Sequence, residues 1–352
     1  MINLKIFCFS SSDHVNQLFS GFGELVKRRF IRVELIKMHD YCGDRYSKPL
    51  LKVEIDGGPT IIYDTSDSYR FFENDDTGYY DFYFKRMLRI DDVNLVLGNT
   101  FPLGLNVPVF SRHDFALQRI AWSWNSLDAI KRAILYVPPL SIMLNAQSGL
   151  HDSSIKKLEQ PPEVEPNPRV IFMTQAWNPS NVKSKQKKDE RIMINEMRAA
   201  CIKSLRKQFG KRFLGGFYIN EFSRKHYKEC LVTDNEMTLK SNYLRVLKDF
   251  SVGIATMGLD GSVGWKFAEY VTNSKAIISE KFDCLLPGDF EENKNYLSFV
   301  SADECVERVA ELIDDRERIY QMMVHNHAYY HAFLRPDRLV WNTLQIAMAR
   351  GK

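Results

Sequence analysis

The stretch richest in chemistry runs Gly253-Ile-Ala-Thr-Met-Gly-Leu-Asp-Gly-Ser-Val-Gly-Trp-Lys-Phe-Ala-Glu-Tyr270. An apolar run of strand length passes into a loop punctuated by Gly258, Gly261 and Gly264, then into a helical pattern. In open α/β sheets the helix amino termini beyond the carboxyl ends of strands present unpaired N–H groups and a positive dipole end, so this arrangement suits a phosphate. The glycines allow close backbone approach, and Ser262 is expected either to cap the helix or to bond a phosphate oxygen. Lys266 lies four residues after Ser262 and three before Glu269, which puts the three side chains on one face of a helix. There Lys266 could neutralise a diphosphate and Glu269 could accept hydrogen bonds from ribose hydroxyls. A serine cap followed by a Lys–Glu pair on a surface helix accounts for the same spacing. Neither Gly-x-Gly-x-x-Gly nor the P-loop spacing is met.

A second set of reactive groups sits in the amino-terminal half. Ser10-Ser11-Ser12-Asp13-His14 follows the first apolar strand, where a carboxylate or imidazole could take the proton of an attacking hydroxyl. Asp13 reads equally as the N-cap of the following helix. Asp81, Lys85 and Arg86 in the aromatic segment Tyr79–Arg86, with Arg112 and His113 in Ser111-Arg-His-Asp114, are candidates to line an acceptor groove. Packing of those aromatic rings into the core is the competing reading. His325, His327 and His331 contain an i,i+4 pair, but no acidic or cysteine ligand is spaced with them. They are expected on a solvated helix face, and no metal site is expected in the chain.

Composition limits what these groups can be. With 48 Lys and Arg against 44 Asp and Glu, the net charge is +4, too small for a dedicated nucleic-acid binder. The bias is local instead: from Lys183 to Lys228 there are 14 basic residues against 4 acidic ones. That run suits peripheral contact with an anionic membrane face, or a long amphipathic helix with solvated lysines. It carries few aromatics to stack bases, so nucleic acid is not expected as a partner. Six widely spaced cysteines without Cys-x-x-Cys argue against both a disulfide framework and a zinc knuckle, and fit a reducing cytoplasm. The longest apolar candidate, Ala133 to Ala146, is broken by Pro138-Pro139, so no membrane span is expected. The amino-terminal apolar run has no basic leader and reads as a strand.

The elements that must position these groups form two series in 352 residues, enough for two domains. The first predicts a strand at Leu4–Phe9, a helix at Asp13–Arg29 and a strand at Ile31–Ile36. Further strands are predicted at Leu51–Ile55, Thr60–Tyr63, Val93–Leu97 and Val107–Phe110. The stretch 151–168, proline-rich and without apolar periodicity, is the linker between a domain at 1–150 and one at 169–334. The second series predicts strands at Arg169–Met173, Phe213–Ile219, Val252–Met257 and Ala276–Ser279. Helices are predicted at Asp189–Phe209, Leu239–Lys248, Ser262–Thr272, Asp303–Ile313 and Arg316–Phe333, with a last one after Pro336. Alternation of strand and helix predicts an α/β class with parallel sheets.

The run from Gly258 to Glu280 with Trp265-Lys-Phe-Ala-Glu-Tyr270 and Lys275-Ala-Ile-Ile-Ser-Glu280 is one of several segments that resemble a known group. The others are Leu286-Pro-Gly-Asp289, Asn295-Tyr-Leu297, Asp303-Glu-Cys305, Leu334-Arg-Pro-Asp337, Ile171 to Pro179 and Asn195-Glu-Met-Arg198. Together they resemble the donor-binding half of bacterial glycosyltransferases of the GT-B fold, the type found in capsule, O-antigen and exopolysaccharide clusters. The resemblance spans about residues 168 to 345, and the amino-terminal half is similar only in outline. It implies two Rossmann-like domains with parallel sheets facing across a cleft, the first holding the acceptor and the second the nucleotide sugar. It also implies that the helix in 335–352 packs back on the first domain.

For the residues, the resemblance implies that Thr174, Gly258, Gly261, Ser262, Lys266 and Glu269 hold the donor. Lys266 would stabilise the leaving diphosphate, and Asp13 or His14 would act on the acceptor. After Thr174 the group would carry a basic residue, and this chain has Gln175. No Asp-x-Asp triplet occurs, so the implied reaction is metal-independent transfer from a nucleotide sugar to a glycan or lipid-linked glycan acceptor. The alternatives are a nucleotide-sugar epimerase of the same fold and a non-catalytic sugar or polyanion binder. The nucleotide, sugar, acceptor and stereochemical outcome stay open at this level.

Overall fold

Leu4, Ile6 and Cys8 alternate with Asn3, Lys5 and Phe7, giving the strand β1 (Ile2–Ser10) one fully buried face in a computed structural model of the chain. The helix α1 (Asn16–Lys27) shares that core through Leu18, Phe19, Phe22 and Leu25, and the chain returns as β2 (Ile31–Cys42), parallel to β1. The structure describes residues 1–10, 12–42, 48–73, 77–89, 91, 98–111, 113–122 and 154–351. The predicted strand Val93–Leu97, the run Ala133–Ala146 and Arg112 lie outside the described residues.

β3 (Leu50–Ile55), β4 (Thr60–Asp64), β5 (Phe82–Lys85) and β6 (Thr100–Pro102) complete a sheet of order β2-β1-β3-β4-β5-β6. It is parallel-dominated but mixed, because β3 runs antiparallel to both β1 and β4. The turn through Asp56-Gly57-Gly58 is too short for a crossover and can join only antiparallel neighbours. With β3 alone reversed, β1, β4 and β5 all end at one edge, at Ser10, Asp64 and Lys85. Among the described residues Val107–Phe110 forms no strand, and Phe110 bridges Ser154. Side chains of α1 take its backbone groups instead: Val107 N–H donates to Gln17 Oε1 and Ser20 Oγ donates to Val109 O.

A short helix α2 (Ala116–Ala121) and the C-terminal helix Pro336–Arg350 belong to the same unit, which comprises Met1–Lys157, Asp283–Asp289 and His331–Lys352. Leu339, Val340, Leu344 and Ala347 of the C-terminal helix are buried in the core of β1 and α1. A Cβ at Gly21 of α1 would lie 2.2 Å from Pro336 O, so glycine is what lets the two helices approach. Asp337, 1% exposed, bonds Arg28 at 2.8 Å.

The other unit comprises Leu158–Phe282 and Phe290–Tyr330. It therefore differs from an unbroken 169–334: residues 283–289 leave it because Leu285 N–H bonds Leu88 O and Asp283 accepts from Tyr69. Its strands are β7 (Val170–Thr174), β8 (Phe213–Phe217), β9 (Val252–Ala255), β10 (Ala276–Glu280) and β11 (Leu297–Phe299). All neighbours in the order β11-β10-β9-β7-β8 are parallel. Such a sheet is buried on both faces, and every residue of β7 and β9 is buried accordingly. The flanking helices are α3 (Lys185–Phe209), α4 (Glu221–His226), α5 (Lys240–Lys248), α6 (Trp265–Thr272), α7 (Ala302–Ile313) and α8 (Arg316–Tyr329). The chain passes from β7 outward to β8 and then crosses to β9 on the other side. Loops after β7 and β9 therefore diverge, and the carboxyl edge between them is the place where such sheets open a ligand crevice.

Candidate functional site

At that edge the loop after β9 is pinned from three sides. Arg198 of α3, 6% exposed, donates to Thr256 Oγ1 at 2.9 Å, Met257 O at 2.9 Å and Gln175 O at 2.7 Å, tying the β9 loop to the β7 loop. Burial lowers its guanidinium pKa to about 10, against the pull of the nearby Glu280. Glu280, at the end of β10, accepts from Met257 N–H at 2.9 Å, and Glu190 of α3 accepts from Asp260 N–H. Asn195, fully buried, holds both backbone groups of Trp177. Asn195 and Arg198 occupy the same helical stripe as Ala199, Ile202 and Leu205, so polar residues stand at core positions. That was the available sign of their role.

The glycine loop closes on itself before the helix begins. Met257 bridges Val263, Gly258 N–H donates to Ser262 O, and Asp260 and Gly261 both take left-handed φ, 57° and 67°. Gly261 is thus required by backbone conformation and Gly258 by space, since a Cβ there would meet Ser262 Oγ at 2.7 Å. Gly264 is required by neither, its nearest neighbour being Thr256 O at 3.9 Å. Ser262 does not cap α6: the helix starts at Trp265 with Gly264 at the cap, and Ser262 Oγ, 4% exposed as a residue, donates to Leu259 O at 2.8 Å. The tight turn displaces it from the helix, so it does not share a face with Lys266 and Glu269. Thr174 ends β7 and is 8% exposed.

Lys266 and Glu269 do meet, at 3.3 Å, but not as a surface pair. The Glu269 side chain is 3% exposed and also receives Lys240 of α5, a residue the spacing argument missed because it is 29 positions away. Lys266 lies over the Tyr243 ring, 3.0 Å from its centroid. Burial alone would raise the Glu269 carboxyl, but the two ammoniums beside it hold it below its ordinary value. Burial lowers both lysines, and the shared carboxylate opposes that. Two cations on one carboxylate leave an excess positive charge at the carboxyl edge.

The other unit gathers its charged groups at the edge where β1, β4 and β5 end. Asp64 and Lys85, both fully buried, pair at 2.7 Å, and Tyr83 OH donates to the same Asp64 oxygen. Arg86, 3% exposed, pairs with Asp67, whose other oxygen lies 3.9 Å from His14 Nε2. Burial, reinforced by Arg86, pushes the His14 pKa down to about 4. Ser12, not Asp13, caps the first turn, accepting from His14 N–H at 3.3 Å, while Asp13 Oδ1 accepts from Asn16 Nδ2 at 3.2 Å.

Of the predicted acceptor residues, then, His14 and Arg86 come together through Asp67, with Asp13 beside His14. Asp81 does not join them: it opens β5 at the opposite edge, where it accepts from Thr60 N–H and Tyr79 OH. His113 lies against Gly23 in the second turn of α1, away from that edge. Arg86 and Lys85 are internal ion-pair partners rather than open groove walls, and Phe82, Tyr83 and Phe84 are core. His327 Nδ1 pairs with Ser274 Oγ at 3.0 Å and His325 Nδ1 with Lys294 O at 3.3 Å, so these two face neighbours rather than solvent. Among the described residues no three His, Cys, Asp or Glu side chains converge as a metal centre would require. In the basic segment Arg191, Arg198, Arg206 and Arg212 all bond backbone carbonyls, while Lys183, Lys185, Lys188, Lys207 and Lys211 are exposed. No helix among the described residues is long and apolar enough to cross a membrane.

No family model matches the chain, nor does any curated protein sequence. Among solved structures it is similar to an alpha1,3-fucosyltransferase, 12% identical with 92% of this chain and 80% of that one covered, at a TM-score of 0.42. HepE from Anabaena in complex with UDP-glucose is 10% identical over 98% and 100% of the two chains, at 0.40. The C-terminal domain of a glycosyl transferase group 1 family protein (LpcC) from Francisella tularensis is 13% identical over 50% and 88%, at 0.31. The chain is an α/β protein of two units with parallel-dominated sheets.

Proposed function

We propose that the protein is a glycosyltransferase of the GT-B type that moves a sugar from a nucleotide-sugar donor to a glycan or lipid-linked acceptor. The observation that carries this reading is the carboxyl edge of the all-parallel sheet. There a backbone loop pinned by Arg198 and Glu280 leads into α6, beside two lysines that outnumber the one carboxylate between them. An anionic ligand such as a diphosphate completes that charge balance, with the α6 amino terminus adding its dipole. Glu269 exchanges a lysine for ribose hydroxyls when the donor binds. As the anomeric bond breaks, charge grows on the departing diphosphate, and Lys266 and Lys240 stabilise it. The Ser12–His14 turn, with Asp67 and Arg86, forms the acceptor side. Surface-polysaccharide synthesis at the cytoplasmic membrane face fits the exposed lysines of 183–211.

A melting-temperature titration with UDP, GDP, CMP, dTDP and their sugar conjugates tests the reading. Selective stabilisation by one nucleotide family is expected, since a ligand that binds only the native state raises its melting point. No rise with any of them in well-folded protein removes the reading. Release of nucleotide only when acceptor is present supports transfer; sugar isomerisation without acceptor supports an epimerase, and binding without turnover a binding module.

A further inference from the structure

Asn16 is an unusual residue for the place it occupies. It opens α1, where an asparagine would ordinarily cap, yet it caps nothing: α1 has Val15 at its cap with no side-chain bond. It is 3% exposed, and both ends of its amide are engaged. Nδ2 donates to Asp13 Oδ1 at 3.2 Å, and Oδ1 accepts from Arg119 Nη1 of α2 at 3.1 Å. Arg119, 4% exposed, lies over the Phe19 ring with its guanidinium carbon 3.9 Å from the centroid. A buried arginine and a buried amide both cost desolvation, and the line of bonds they form ends on a half-buried carboxylate at the carboxyl edge of β1.

The turn itself is fixed independently of that line. Ser12 holds His14 N–H, Asn106 Nδ2 donates to His14 O at 2.6 Å, and Gln17 Nε2 donates to Leu334 O at 2.9 Å. The Asn16–Asp13 bond is therefore not needed to shape the backbone, and what it orients is the carboxylate. Its neighbour His14 is turned toward Asp67 and Arg86, and burial leaves that imidazole no more basic than a carboxylate.

We propose that Asp13 is the group that takes the acceptor's proton, and that Asn16 and Arg119 are positioning residues that aim its carboxylate. This rests on the transferase reading given above. In the step, the acceptor oxygen bonds the anomeric carbon and its proton passes to Asp13. The bond from that carbon to the diphosphate oxygen breaks, and its electron pair leaves on the diphosphate. Asp13 stays oriented because Asn16 offers it N–H while Arg119 prevents the amide from turning over.

Two substitutions separate aim from architecture. Asn16→Asp keeps the shape and strengthens the bond to Arg119, but it presents a carboxylate, not an N–H, to Asp13; Asn16→Leu loses both bonds. The assay is release of nucleoside diphosphate from the nucleotide sugar selected by the melting titration, with water and with p-nitrophenyl glycosides as acceptors. Asn16→Asp is expected to lower kcat tenfold or more, a cost of about the size that misplaced catalytic groups incur, with donor KM within about twofold and the melting temperature held. Asp13→Gly is expected to lose kcat similarly and to recover part of it with added formate. Wild-type activity in Asn16→Asp would show that Asn16 serves only to satisfy Arg119 and would overturn the proposal, as would an Asp13→Gly variant of unchanged kcat. If the wild type neither binds nor cleaves any nucleotide sugar, the transferase reading falls, and the proposal with it.

Discussion

The two carboxyl edges of this protein are built from similar residue types and pair their charges differently. In the all-parallel unit, Lys240 and Lys266 share Glu269, so one positive charge is left over beside a helix amino terminus. In the mixed unit Lys85 pairs with Asp64 and Arg86 with Asp67, one carboxylate to each, and the half-buried Asp13 accepts from Asn16 beside them. A surplus cation is suited to an anion; on the proposed reading the carboxylate at the rim of the other edge is suited to a hydroxyl compound that must lose a proton. The difference shows that the pairing of charges, rather than the presence of charged residues, distinguishes two otherwise comparable edges.

The strongest challenge to this contrast is Asp64→Ala, which takes the carboxylate away from the buried Lys85. It is expected to cost about 3–5 kcal/mol in chemical denaturation, the range for breaking a buried pair, while nucleotide affinity in the remaining folded protein is unchanged. Loss of nucleotide affinity would show that the two edges do not have separate roles.

Next is the acid dependence of His14. Its folded pKa of about 4 lies below the ordinary 6.5, so between these values the unfolded chain binds more protons and stability must fall as pH falls. The contribution is full above pH 6.5 and amounts to about 3 kcal/mol at most, from 1.36 kcal/mol per unit. His14→Asn should flatten that part of the denaturation-versus-pH curve; an unchanged slope would place the acid sensitivity elsewhere.

Glu269→Gln is smaller in stability and sharper in function. Loss of the carboxylate leaves two ammoniums facing each other at a site each lysine exposes by about a quarter. A loss of about 1–2 kcal/mol is expected, below the buried-pair range because solvent screens them. Calorimetric affinity for the preferred nucleoside diphosphate should rise or hold while affinity for the matching nucleoside falls at least tenfold, because phosphate meets a freer cation and ribose loses its acceptor. Parallel changes in both would deny Glu269 a ribose contact. Last, Ser262→Ala removes a hydroxyl bonded to Leu259 O and should cost about 0.5–1 kcal/mol, with nucleotide affinity unaltered. A marked loss of affinity would return Ser262 to the ligand.

Much of the framework was legible because it depends on local periodicity. The βαβ opening, the alternation from β7 through β10 and the helices that follow are written in apolar spacing that burial in a two-sided sheet enforces. β3's reversal could have been read from Asp56-Gly57-Gly58, a hairpin signal, whereas Val107–Phe110 has strand composition yet loses its backbone partners to Gln17 and Ser20 of another element. The contact of Lys266 with Glu269 was legible because they are helix neighbours, whereas Ser262 leaves their face because a long-range loop closure, not helix periodicity, decides where α6 begins.

The sequence by itself determined the class, the two βα series, and the glycine loop with its lysine and glutamate. Only the tertiary structure decided that Lys240 joins Glu269, that Arg198 ties two loops, that Asp67 links His14 to Arg86, and that Asp81 lies at the edge opposite to Lys85. Local order follows from the period of a chain, which neighbours in sequence report. Charge pairing is set by distances across a fold, and residues 29 or 53 positions apart, as Lys240–Glu269 and His14–Asp67 are, have no period in common.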